Sequence, residues 1–171
     1  MIELRRLSPA DGIDVYDMLQ EIPREENGFM NNGHGKSFEE YRVWLKAMDE
    51  ESHRQGIVDG WKVPSTTYWL YVDGTPVGYG KVRHFLTDSL RTAGGNIGYV
   101  IRPGWRGQGY GKELLRLLLV KARGIGMDKA LVTIRKDNAA SLAVARANGG
   151  VITDETDERY LVWLDTREDM K

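Results

Sequence analysis

The 171-residue sequence predicts an α/β fold in which one mixed sheet is flanked by helices. Three observations predict it. Segments with strand character outnumber those with helical character and run in the order β-α-α-β-β-β-α-β-α-β. A β-rich stretch near the middle, Asn96 to about Arg102, stops at Pro103 and passes through a glycine-rich turn into a leucine-rich helix. No repeat, low-complexity tract or long linker divides the chain, so residues 1–171 are expected to form one domain.

In order, Ile2 to Leu7 alternates and predicts the first strand. Ser8-Pro9-Ala10-Asp11 predicts a helix start, with Ser8 as cap and Pro9 in the first turn. Ile13, Tyr16, Leu19 and Ile22 then form an apolar face that Pro23 ends. The segment from Glu25 to Gly33 is loop by composition and sets two carboxylates beside Phe29 and Met30. Ser37-Phe38-Glu39-Glu40 is a capping-box pattern, opening a helix through Tyr41, Trp44, Leu45 and Met48 that fades near Gly56. Strands at Thr66–Val72 and Pro76–Phe85 flank an Asp73-Gly74 hairpin signal. A long loop, Leu86 to Gly95, precedes the central strand and its helix, which Gly124 and Gly126 close. Lys129–Ile134 is a strand, Asn138 caps a helix from Ala139 to Asn148, and Arg159–Leu164 is the last strand.

Composition narrows the function. Charge nearly balances, at a formal −1, so no basic face calls for nucleic acid. The absence of cysteine excludes disulfides, thiolate metal sites and a cysteine nucleophile, and suits a reducing cytoplasm. No apolar run reaches membrane-spanning length, and the amino terminus lacks a signal-peptide core. No His/Asp/Glu cluster has metal-ligand spacing. Trp61, Tyr68 and Trp69 fit either the core or a homodimer surface.

The turn itself, Arg106-Gly107-Gln108-Gly109-Tyr110-Gly111-Lys112, has glycine at every second position. Without side chains in the way, successive amide N–H groups can converge, and the following helix adds its unpaired first-turn N–H groups. That is an anion cradle, best suited to phosphate. A Walker-type loop is excluded, because Arg106 occupies its first glycine position and Glu113 its Ser/Thr position. A dinucleotide fingerprint fails too, since its third glycine would be Lys112 or Leu114.

What remains is Arg-x-x-Gly-x-Gly after a strand ending Ile101-Arg102-Pro103, which resembles the pyrophosphate loop of the GCN5-related N-acetyltransferases. The order of elements from Ile2 to Leu164 is also that family's, as is Asn138-Ala139-Ala140-Ser141 after a strand. The run Arg83-His84-Phe85 with Gly94 to Tyr99 is similar to a subgroup of predicted bacterial acetyltransferases. The resemblance implies the acyl-CoA N-acyltransferase fold, with a mixed, mostly antiparallel sheet, and acetyl-coenzyme A as co-substrate without a metal. It implies that Arg106 to Lys112 (Gly107, Gln108, Gly109, Tyr110 and Gly111 between them) hold the diphosphate. Backbone groups of Tyr99, Val100 and Ile101 would hold the pantetheine and the carbonyl oxygen. Asn138 and Ser141 would meet the pantetheine arm, and Arg102 is a further phosphate candidate.

The implied reaction is direct attack of a neutral amine, on a small molecule or peptide, in a ternary complex. Base candidates are His84, which titrates near neutrality, and Glu26, beside Phe29 and Met30; Asn96 is a candidate for orienting water. Glu25 and Glu26 hint at a cationic acceptor. One departure stands out: the tyrosine that protonates the departing thiolate in many members is replaced by Ala145, and the helix holds no other. A non-catalytic acyl-coenzyme A-binding or sensing module is therefore the alternative.

Overall fold

The computed structural model describes residues 1–53 and 63–167. Trp61 and the predicted helix end near Gly56 lie outside them. The elements are β1 (Ile2–Arg6), α1 (Ile13–Glu21), β2 (Glu25–Glu26), β3 (Phe29–Met30), α2 (Phe38–His53), β4 (Ser65–Val72), β5 (Thr75–Arg83), α3 (Asp88–Thr92), β6 (Ile97–Ile101), α4 (Tyr110–Gly124), β7 (Lys129–Arg135), α5 (Ala139–Ala147), β8 (Val151–Glu155) and β9 (Arg159–Asp165).

Strands β1-β4-β5-β6 form a four-stranded sheet, β7-β9-β8 a three-stranded one, and β2-β3 a small hairpin. Every pairing is antiparallel. The two larger sheets meet at one place. Buried Asn96 donates its N–H to the Leu131 carbonyl (2.7 Å) and takes the Leu131 N–H on Oδ1 (2.9 Å). Past that junction β6 and β7 are not paired, and a gap opens between them.

The first sheet carries a core on each face. Against one lie Leu114, Leu115, Leu118 and Leu119 of α4, with Val132 and Val162 of the second sheet. Close approach of α4 needs the glycines of β5: a Cβ on Gly80 would sit 2.7 Å from a Leu118 methyl. Against the other face, Val15, Met18, Leu19, Tyr41 and Leu45 of α1 and α2 pack on Trp69 and Tyr79. Tyr68 and Trp69 are both buried, so they belong to the core. The capping box of α2 forms as expected, Ser37 Oγ accepting from Glu40 N–H (3.1 Å) and Glu40 Oε1 from Ser37 N–H (2.9 Å).

Four features differ from the sequence expectation. Ser8 to Asp11 is a turn, closed by Asp11 N–H on the Ser8 carbonyl, and α1 starts at Ile13. Asp11 is drawn out of the helix because its carboxylate takes the Trp69 indole N–H (2.8 Å) and the Ser8 N–H (2.8 Å). Its buried face is therefore Val15, Met18, Leu19 and Ile22, and Ile13 is exposed. The supposed loop after Glu25 is a hairpin whose Asn27-Gly28 turn has both φ angles positive. The long loop before β6 holds α3, capped by Thr87. Finally β8 escapes prediction because it is mostly exposed and lacks an apolar alternation.

Candidate active site

The gap beyond Asn96 is the mouth of a cleft of about 410 Å³, within the range of small-molecule sites. Its floor is β6, one wall is β7 with the start of α5, and the hairpin β2–β3 covers it. The Arg106–Lys112 turn closes one end, although Gln108 is not among the lining residues.

Strand β6 offers the cleft an unpaired edge. Arg102 N–H bonds the Val77 carbonyl (2.7 Å) and the Asn96 carbonyl takes Arg83 N–H (2.6 Å), so even-numbered residues pair with β5. Alternation turns the peptide groups of Ile97, Tyr99 and Ile101 toward the gap. Val100 lines the cleft but turns its amide to β5, so of the three expected backbone donors Tyr99 and Ile101 remain available.

The turn has the conformation that glycine spacing predicted. Gly107 and Gly109 have φ of +77° and +87°, and a Cβ at either would meet no atom within 4 Å. Gly109 is the N-cap of α4, leaving the N–H groups of Tyr110, Gly111 and Lys112 without helical partners. These amides, the helix dipole and Lys112 make a fitting cradle for a diphosphate. Arg106 is more constrained. Its Nε bonds the Ile101 carbonyl (2.9 Å), and Nη1 and Nη2 clasp the Glu26 carboxylate at 3.0 and 2.5 Å. Arg102 points elsewhere, tying Pro76 (3.1 Å) and Glu21 together.

On α5, Asn138 Oδ1 caps the helix by accepting Ser141 N–H (3.2 Å), while the residue also lines the cleft. The Ser141 hydroxyl meets the Tyr99 hydroxyl at 2.9 Å. Burial pushes the Tyr99 phenol up to about 12, against the smaller effect of Ser141, so it stays protonated.

The base candidates fare differently from the cradle. His84 Nε2 bonds Thr66 Oγ1 (2.8 Å), outside the cleft, and burial and Arg6 lower its pKa. Asn96 is consumed by the sheet junction, its Nδ2 reaching the Arg83 carbonyl at 3.3 Å. Glu26 lines the cleft but is held by Arg106, and Glu25 takes the Gly28 N–H of its own turn (2.7 Å). The Glu26 carboxylate is thus already paired with a cation, and Glu25 is not among the residues that line the cleft.

Sequence reasoning passed over Lys81. It lies opposite Gly98 of β6, in the cleft, with its ammonium 5.3 Å from the Phe29 ring centre and 5.8 Å from that of Tyr79. Among the described residues it has no hydrogen-bond or ion-pair partner. Burial first, and the charge of Arg83 second, bring its pKa down to about 7. The only trace of it in β5 is alternation, which puts Tyr79, Lys81 and Arg83 on one face; that this face is buried is seen only in the structure. Among the described residues no His, Asp or Glu cluster could hold a metal, and no helix is long and apolar enough to cross a membrane.

Comparison with known proteins follows the same lines. A family model described as an acetyltransferase (GNAT) domain matches residues 2–151. No curated protein matches the chain. Among solved structures, the Campylobacter jejuni N-acetyltransferase PseH in complex with acetyl coenzyme A is similar at a TM-score of 0.64 and 15% identity, over 98% of this chain and 100% of that one. RimL, a ribosomal L7/L12 alpha-N-protein acetyltransferase in complex with coenzyme A, gives 0.69 and 19%, over 97% and 96%. YncA, a putative acetyltransferase from Salmonella typhimurium with acetyl-CoA, gives 0.63 and 16%, over 98% and 95%.

Proposed function

The chain belongs to the GNAT acetyltransferase family, and on that premise we propose that it moves an acetyl group from acetyl-coenzyme A to a primary amine with both substrates bound. The observation that carries the reading is the open edge of β6 running straight into the left-handed glycine turn before α4. An extended amide-bearing arm can add to that edge as an extra strand while its diphosphate rests on the turn. Acetyl-coenzyme A supplies a thioester carbonyl.

Each role then falls to a group already in place. The amides of Gly107 to Lys112 bind the diphosphate, and the unused Asn138 amide nitrogen meets the arm. The Tyr99 N–H stabilises the charge that develops on the carbonyl oxygen, the largest single kind of catalytic electrostatic contribution, while the Ile101 N–H, about 6.7 Å further along the strand, bonds an amide of the arm. Lys81 takes the proton from the attacking amine: with its pKa brought down to about 7 it has a neutral form near neutral pH, which puts a base where one is needed. The Tyr99 hydroxyl, oriented by Ser141, donates toward the departing sulfur in place of the tyrosine that α5 lacks. A thiol pKa near 8.5 makes this a modest demand. Holding amine and thioester together supplies several kcal/mol more. The cytoplasm, reducing and suited to a chain without cysteine, is where we place the reaction.

The test is coenzyme A release on a panel of amines, followed with a thiol reagent. Turnover that Gly109→Trp abolishes together with coenzyme A binding supports the reading. Tight binding of acetyl-coenzyme A without turnover of any amine would instead favour a sensing module.

A further inference from the structure

We propose that the acceptor amine carries an acid group, a carboxylate or phosphate, which Arg83 and Arg159 grip at the end of the cleft away from the glycine turn. The inference deepens the acetyl-transfer reading and rests on it. The cleft is charged asymmetrically. Among the described residues its one lining carboxylate, Glu26, is spent on Arg106 at the turn. At the other end stand Lys81, Arg83 and Arg159, and among the described residues none of the three has an ion-pair partner.

The two guanidiniums are held in a built arrangement. Arg83 Nη1 donates to the carbonyls of Gly94 (3.0 Å) and Gly95 (3.3 Å). Gly94 N–H donates to Thr133 Oγ1 (2.9 Å), which also accepts Arg159 Nη1 (3.2 Å). Arg159 reaches from β9 to the hairpin turn, so close that a Cβ on Gly28 would lie 2.4 Å from its Nη2. Both side chains are thus positioned by one hand and keep unused N–H groups. Partly buried cations without a counter-ion are costly, and a planar fork of donors matches an oxyanion in two-point fashion. The phosphates of coenzyme A belong to the turn at the far end of β6, a strand roughly 17 Å long. A carboxylate between two guanidiniums leaves net positive charge beside Lys81, and a phosphate, at about −1.5 to −2, no more than balances them, so neither adds net negative charge beside that amine.

The experiment uses the full chain, acetyl-coenzyme A and matched acceptors: α-amino acids against their carboxamides and decarboxylated amines, phosphoethanolamine against ethanolamine, and spermidine as a cationic control. Acid-bearing amines are expected to exceed their neutral counterparts by roughly 100-fold or more in kcat/KM. The amino-acid and phosphate arms tell which acid is read. Arg83→Gln and Arg159→Gln are expected to raise KM for the acid-bearing acceptor at least 10-fold, with coenzyme A affinity unchanged. As a second measurement, N-acetyl amino acids or N-acetylphosphoethanolamine added with coenzyme A should raise Tm in the parent protein and not in the variants. Preference for neutral or cationic amines overturns the acid-bearing acceptor while acetyl transfer stands. Loss of coenzyme A binding in both arginine variants, or no Tm response to any acid-bearing product, overturns it as well. Failure of the parent protein to bind coenzyme A removes the underlying reading instead.

Discussion

At the scale of single residues, Lys81 joins the cost of burial to its use. An amine surrounded by Phe29 and Tyr79 and pushed by Arg83 releases its proton at about 7, against an ordinary 10.5. Acetylation is therefore expected to rise with pH through about 7 and level off above it. Lys81→Met should lower kcat roughly 10²- to 10⁴-fold and flatten that profile, as rate measurements from pH 5.5 to 9 would show. The same substitution should move stability the opposite way from activity. Between pH 7 and 10.5 the unfolded chain holds a proton on Lys81 that the folded chain has lost, so the wild type gains stability as pH rises through this window. The methionine variant, free of that penalty, should melt higher at pH 7, with the gain shrinking toward pH 10.5. His84→Gln should leave the pH profile in place, because the imidazole is engaged with Thr66 outside the cleft. The cradle was legible from the sequence because a positive φ is a backbone demand that glycine writes directly at Gly107 and Gly109. Lys81 was not, because a cation on a strand reads as solvent-facing until Phe29 of a distant hairpin is known to cover it.

Among the elements, the β2–β3 hairpin matters most to the site. Two-residue strands carry no measurable periodicity, so composition alone made the segment a loop. Its Asn27-Gly28 pair was the readable hairpin signal. What fixes the hairpin is Asn31, whose buried amide donates to the Leu19 and Ile22 carbonyls at the end of α1 (2.9 Å each) and accepts Gly33 N–H (3.1 Å). The hairpin's Glu26 in turn occupies Arg106. A diphosphate arriving at the turn competes with that carboxylate for the guanidinium. Glu26→Gln is therefore expected to tighten coenzyme A binding several-fold, measured by calorimetry at low salt, with the difference from wild type shrinking as salt is added. A weaker affinity would mean that the clasp organises the cradle rather than competing with its ligand. Helix α1 teaches a similar lesson: Ser8-Pro9 looked like a start, but the Asp11 bond to Trp69, 58 residues away, decided otherwise.

For the molecule as a whole, element order read from alternation and helical spacing gave the α/β class, and the antiparallel pairings follow it. The break between β6 and β7 was not readable, since it depends on one side chain doing a backbone's work. Asn96 both joins the sheets and ends their pairing. Asn96→Ala would leave the buried Leu131 N–H without its acceptor, and a cost of about 1–3 kcal/mol is expected. At roughly 2–4 °C per kcal/mol for a chain of this size, thermal melting should resolve it. Because the cleft begins at this junction, coenzyme A affinity should fall as well.

The clasp between Glu26 and Arg106 also sets a timetable. The same short ribbon that lends its carboxylate to the diphosphate loop spreads Phe29 over the lysine and rests its turn on Arg159. Whichever molecule displaces the carboxylate loosens the roof over the other's berth. On the proposed reading, the thioester carrier is expected to bind before the amine, and product-inhibition kinetics in which coenzyme A competes only with the thioester would check it.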